Sequence, residues 1–171
     1  MKTYYFKATD KGYIGKAFEM AIKDALGVKN ANKVSPCGMC DFRFQGKAYD
    51  TKQNSSVIKY NDVAGYVRGS SRVIYATHVS HTKEIRGDMV GITINLQATK
   101  FYVVDKTEFI EYLYSINCAK FNQARNEINI QTVYNYKKDE YHGKKGKLIE
   151  AWCYENELTD NVIFDIIMGG E

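Results

Sequence analysis

Asp41, Asp50 and Lys52, within the stretch CDFRFQGKAYDTKQ (residues 40–53), have the types and spacing for metal and anion chemistry. Gln45-Gly46 reads as a two-residue turn between strands 41–44 and 48–53. Phe44 then pairs with Lys47, Arg43 with Ala48, Phe42 with Tyr49 and Asp41 with Asp50. Side chains alternate faces along each strand. One face carries Phe42, Phe44, Tyr49 and Thr51 and can join a core. The other carries Asp41, Arg43, Asp50 and Lys52. Directly opposed Cβ atoms lie roughly 4.5–5.5 Å apart. Two carboxylates at that distance repel, so the pairing predicts a positive partner between them. A divalent cation is the natural one, because hard ions take carboxylate oxygens. Lys52, two residues beyond Asp50, points to the same side and can meet a phosphate oxygen or an attacking water.

An acidic residue, then Asp-x-Lys across a hairpin, following a helix that bears a glutamate, resembles the pattern of the PD-(D/E)xK nuclease superfamily. The resemblance covers roughly the first third of the chain. By resemblance, Asp41 is the first acidic metal ligand, Asp50 fills the D/E position and Lys52 is the lysine. Cys40 stands immediately before Asp41, and Pro36 is the only proline. Gln53 follows the lysine as a polar residue does in several branches, and Glu19 takes the place of the helix glutamate. The resemblance further implies a restriction-endonuclease-like core with a central mixed sheet flanked by helices. It implies catalytic roles for Asp41, Asp50 and Lys52. The metal would be Mg²⁺, with Mn²⁺ as substitute, held by Asp41, Asp50, Glu19 and the backbone carbonyl of Thr51. The substrate would be DNA, double-stranded, hydrolysed at its phosphodiester bonds in a phage, restriction or repair setting. Cutting both strands implies a homodimer with one site per strand. The alternative is a catalytically silent nuclease fold that binds DNA or protein, such as a phage anti-defence inhibitor. The intact set of Asp41, Asp50 and Lys52 speaks against simple decay of the site.

Other segments add weaker signals. Lys137, Lys138, Lys144, Lys145 and Lys147 form a basic loop with Gly143 and Gly146. Such a loop suits DNA phosphates, and equally suits solvent, since Asp139 and Glu140 partly offset it. Cys37 and Cys40 have the spacing of half a zinc site, but Cys118 and Cys153 are isolated, so a second pair is missing. A small zinc or redox domain is therefore the third option. His78 and His81 are candidate ligands or bases, yet a nuclease needs no such base, because a metal lowers the pKa of its own water.

The elements that position these residues follow from periodicity. Residues 12–26 read as a helix, with Asp10 as cap and Gly27 as stop. On its wheel Glu19 sits at the border of the apolar stripe. Residues 72–79 and 89–96 read as strands, and 101–104 as a strand entering a helix capped by Asp105 and Glu108. Residues 128–135 read as a further strand, and 147–155 and 160–168 as helices. This predicts one mixed α/β (α+β) domain over residues 1–171, built on one central sheet. Hydrophobic residues make up 44% of the chain, which supports a packed core rather than disorder. Net charge is +4, which permits nucleic-acid binding without demanding it. No apolar run is long enough to span a membrane, and the start lacks a signal-peptide pattern. The expectation is a cytoplasmic protein with free thiols.

Overall fold

The computed structural model describes residues 1–28, 41–53, 57–59, 72–116, 118–122, 124, 127–130, 134–135, 140–141, 150, 152–154 and 161–169. The architecture is mixed α+β. Its first main sheet is built on the hairpin. Strands β2 (Phe42–Phe44) and β3 (Lys47–Gln53) pair antiparallel, with Phe42 opposite Tyr49, Arg43 opposite Ala48 and Phe44 opposite Lys47. Gln45 and Gly46 have φ of 49° and 77°. Two positive φ angles are what a type I′ turn requires, and its twist matches the flanking strands. β3 then runs parallel to β5 (Arg72–His78), and β5 antiparallel to β8 (Lys100–Asp105). The sheet order is β2-β3-β5-β8.

Where one central sheet is predicted, the described residues form a second main sheet as well. β1 (Thr3–Lys7), β7 (Met89–Ile94) and β6 (His81–Arg86) pair antiparallel in the order β1-β7-β6. Hydrophobic patterning does not mark β6, because all of HTKEIR is exposed. Its backbone bonds to β7, with exposed side-chain bonds from Tyr5 to Glu84 and from Lys83 to Tyr13, hold it rather than burial. The predicted strand 128–135 is represented by β10 (Glu127–Ile130) and β11 (Tyr134–Asn135), with residues 131–133 outside the described set. β10 pairs with β4 (Val57–Lys59) and β9 (Ala119–Asn122), and β11 with β12 (Glu140–Tyr141).

Helix α1 (Tyr13–Leu26) lies in the core shared by both main sheets. Its Ala17, Phe18, Ala21, Ile22 and Leu26 meet Tyr49, Ile74 and Val103 of one sheet and Tyr4, Ile92 and Ile94 of the other. Gly27 ends it in the left-handed conformation, as its sequence position suggests. The start differs from the expectation. Gly12 is the N-cap, with no side-chain cap, and the Asp10 carboxylate accepts instead from the Lys7 N–H at 3.3 Å.

The opposite face of the four-stranded sheet carries helix α2 (Lys106–Ser115). Phe109, Ile110 and Leu113 pack there with Val73, Tyr75, Val104 and Trp152. Asp105 caps this helix, its Oδ1 accepting from the Glu108 N–H at 3.0 Å. Glu150 and Trp152–Tyr154 are helical, within the predicted span 147–155, and α3 (Asn161–Gly169) sends Ile163 and Ile167 into the α1 core. The sheet is thus covered on both sides. On β3, Tyr49 belongs to the α1 core, whereas Asp50 bonds to a residue of α2. No helix among the described residues is long and apolar enough to cross a membrane.

Candidate active site at the end of the hairpin

Glu19, Asp41, Thr51, Lys52 and Gln53 line one cleft of about 260 Å³, together with Gly12, Gly15 and Lys16. The α1 segment from Gly12 to Glu19 forms one wall, and the far end of β3 forms the other. Gly15 faces Gln53 across the cleft: a Cβ added there would lie 4.0 Å from the Cβ of Gln53, an ordinary contact. Five of the predicted site residues therefore converge.

The strand pairing is as predicted, but Asp41 leaves the ladder. β2 begins at Phe42, so alternation does not govern the residue before it. The Asp41 N–H donates to the Tyr49 carbonyl at 2.9 Å. Its carboxylate Oδ2 accepts from the Thr51 N–H at 2.8 Å and from the Thr51 hydroxyl at 3.2 Å. It lies beside the Glu19 carboxyl, whose pKa its charge raises. The acidic pair in this cleft is Glu19 with Asp41, rather than Asp41 with Asp50. In a strand the N–H and C=O of one residue point to the same edge. The Thr51 carbonyl accordingly points to the same edge as its N–H, toward Asp41.

Asp50 has an internal cation. The Lys106 ammonium, at the first position of α2, lies 3.7 Å from its Oδ2. Lys106 is 1% exposed, and burial pulls its pKa down. The negative Asp50 and, more weakly, Asp41 hold it up, while the nearby Lys52 charge pushes it further down. These four groups thus form one electrostatic neighbourhood at the sheet end. The positive partner that the hairpin pattern demands is, for Asp50, a lysine from the other side of the sequence.

Glu19 has a similar neighbour. Lys23, one helical turn on and 3% exposed, lies 3.2 Å from its carboxylate. Even so, the Glu19 carboxyl is pushed up to about 7, first by burial and then by the negative charge of Asp41; Lys23 opposes this. The sign of the stability effect follows. Between the ordinary value of 4.5 and about 7 the folded chain holds a proton that the unfolded chain has lost. Metal-free stability therefore falls as pH rises through this window and stays low above it, by on the order of 1–2 kcal/mol once solvent near Glu19 is allowed for. Thermal melts at pH 5 and pH 8 check this. Glu19→Gln should flatten the dependence. An unchanged pH dependence in that variant rules Glu19 out as its source.

Among the described residues, no group of three or more His, Cys, Asp or Glu side chains comes together as a metal cage. The donors present are the carboxylates of Glu19 and Asp41 and the carbonyl of Thr51. This oxygen-only set, with an acid pair that resists full ionisation, suits Mg²⁺. That ion keeps several waters and takes only one or two carboxylates alongside substrate phosphates. It suits zinc poorly. Cys37 and Cys40 lie outside the described residues, as do Lys137, Lys138, Lys144, Lys145 and Lys147. Cys118 and Cys153 are buried free thiols, and His78 and His81 are exposed. Two charges at the site escaped the sequence reading. Lys23 was legible as the i+4 partner of Glu19. Lys106 carried a subtler signal, since a lysine at the positive end of a helix is disfavoured. No known protein family matches the chain, and no curated protein or solved structure matches it either.

Proposed function

We propose that the protein is a metal-dependent nuclease with a restriction-endonuclease-like core, hydrolysing DNA phosphodiester bonds at the cleft between α1 and β3. The observation that carries this is the meeting of the Glu19 and Asp41 carboxylates, Thr51 and Lys52 along one open cleft. Glu19, Asp41 and the Thr51 carbonyl would hold Mg²⁺, and Mn²⁺ would substitute. Once bound, the ion supplies a Lewis acid that lowers the pKa of a coordinated water and offsets charge on the scissile phosphate. Thr51 fixes the Asp41 carboxylate through two hydrogen bonds, so the ligand is oriented before any ion arrives. Lys52 donates to a non-bridging phosphate oxygen or to the attacking water, where negative charge grows as the new P–O bond forms and the old one breaks. Gln53, next along the strand and lining the same cleft, would add a polar contact to the substrate. Asp50 serves the site through its ion pair with Lys106. Cutting both strands of a duplex requires two such sites, which a homodimer would supply.

A second reading has its own observation. Glu19 and Asp50 each have a buried lysine within 4 Å, at 3.2 and 3.7 Å, so much of the acidic charge is balanced without an ion. A nuclease-like fold that binds DNA or protein without cutting would need no more than that. Incubation with plasmid and linear DNA in Mg²⁺, Mn²⁺ or EDTA separates the two. Cleavage in either metal that EDTA abolishes is the expected result. Absence of cleavage of any nucleic acid in both metals would put the binding module in first place.

A further inference from the structure

We infer that Lys106 is a positioning residue, whose buried ammonium occupies Asp50 and so keeps the Lys52 ammonium available to the cleft. This rests on the nuclease reading for its purpose, though not for its geometry. Asp50 and Lys52 are two residues apart on one strand, so their side chains leave the same face of β3. Left alone, such a pair attracts. Yet the cation beside the Asp50 carboxylate is Lys106, at 3.7 Å. Lys52 lines the cleft with Glu19 and Asp41, and among the described residues no ion pair involves it.

Two features argue that Lys106 is not there for stability alone. It is the first residue of α2, beside the Asp105 cap, where the helix dipole favours a negative side chain. It is also 1% exposed, and a buried ion pair is commonly no more stabilising than apolar side chains of the same shape. A methionine there, with a neutral side chain in place of Asp50, would satisfy the two positions at no greater cost. What only the charge supplies is a competitor for Asp50. Lys106 meets Asp50 from the α2 side of the sheet, whereas Lys52 can turn toward the open end of the hairpin. Without Lys106, Lys52 on the same face of β3 would be drawn toward Asp50 and out of the cleft.

The test reads Lys52 directly and needs no enzymatic activity. Wild type, Lys106→Met and the double variant Lys106→Met/Asp50→Asn are labelled briefly with an amine-acylating reagent, and each lysine is quantified by mass spectrometry. An ammonium held against a carboxylate stays charged and acylates more slowly, by roughly tenfold for a close pair. Lys52 is expected to label readily in wild type, about five- to tenfold more slowly in Lys106→Met, and again at the wild-type rate in the double variant. Lys16, on the α1 wall of the same cleft, is the internal reference. Equal Lys52 rates in all three proteins overturn the inference, as does a slow rate that the double variant fails to restore. If Lys106→Met does not fold, seen as loss of its melting transition and faster labelling throughout, Lys106→Gln takes its place: a slowed Lys52 rate in it supports the inference and a wild-type rate overturns it. Cleavage assays on the same proteins keep the two ideas apart. The expected pattern is a drop of about 10–100-fold in single-turnover cleavage for Lys106→Met with DNA affinity unchanged. If labelling follows the expected pattern while wild type cuts no nucleic acid, the nuclease reading fails and the role of Lys106 stands.

Discussion

Lys52→Ala is expected to lower metal-dependent DNA cleavage by about 10²–10³-fold while leaving Mn²⁺ affinity nearly unchanged. Lysine donates hydrogen bonds and cannot ligate while protonated, so its loss removes transition-state stabilisation without removing the ion. Asp41→Asn is expected to reduce cleavage by at least as much, and to weaken Mn²⁺ binding too. The two variants differ in mechanism, and that contrast makes them informative together. Asparagine keeps an acceptor for the Thr51 N–H, which lies 2.8 Å from the native carboxylate, so the hairpin end should stay folded. It also removes the negative charge that helps push Glu19 up to about 7. Metal-free Asp41→Asn should therefore melt higher than wild type at pH 8, even though it binds metal less well. Single-turnover cleavage, Mn²⁺ titration and thermal melts on the same preparations check all three points. Two variants that both cleave like wild type would show the site to be misassigned.

The hairpin was legible because three independent signals coincide there: a turn dipeptide, alternation on both strands, and aromatic residues restricted to one face. Phe42, Tyr49 and Phe44 sit against the α1 core as that alternation requires. The same logic failed one residue beyond the ladder. Asp41 precedes β2, and its carboxylate found the Thr51 N–H, a local backbone bond that no side-chain period encodes. β5 was legible from its apolar run. β6 was not, since His81–Arg86 is exposed throughout and carries no apolar period. The count of sheets went astray with it. Lys106 lay outside reach for a different reason. It meets Asp50 only because β5 and β8 carry the chain across the sheet and Asp105 starts α2 at that point. The hairpin pattern could say that Asp50 needs a positive neighbour. It could not say whether that neighbour is an ion or a side chain 56 residues away, and the fold supplies the second.

That distinction has a large consequence for Asp50→Ala. If Asp50 were simply one of two repelling carboxylates awaiting a metal, its removal would leave stability unchanged or slightly raised. With Lys106 1% exposed and 3.7 Å away, removal instead strands a buried ammonium without its partner. Breaking a buried pair from one side costs about 3–5 kcal/mol. For a chain of this size that corresponds to a fall in Tm of roughly 6–20 °C. The penalty should itself depend on pH. Burial and the charge of Lys52 already pull the Lys106 pKa down, and without Asp50 it falls further. As pH rises Lys106 gives up its proton, and a neutral amine is far cheaper to bury. The destabilisation is thus expected to be greatest at neutral and acidic pH and to shrink toward alkaline pH. Lys106→Met in the Asp50→Ala background should recover much of the lost Tm, since it removes the stranded charge. Differential scanning calorimetry of wild type, Asp50→Ala and the double variant between pH 6 and pH 10 measures each part. A Tm for Asp50→Ala equal to or above that of wild type at neutral pH would mean that the Lys106 ion pair contributes nothing in solution, and would return Asp50 to the role of a metal ligand waiting for its ion.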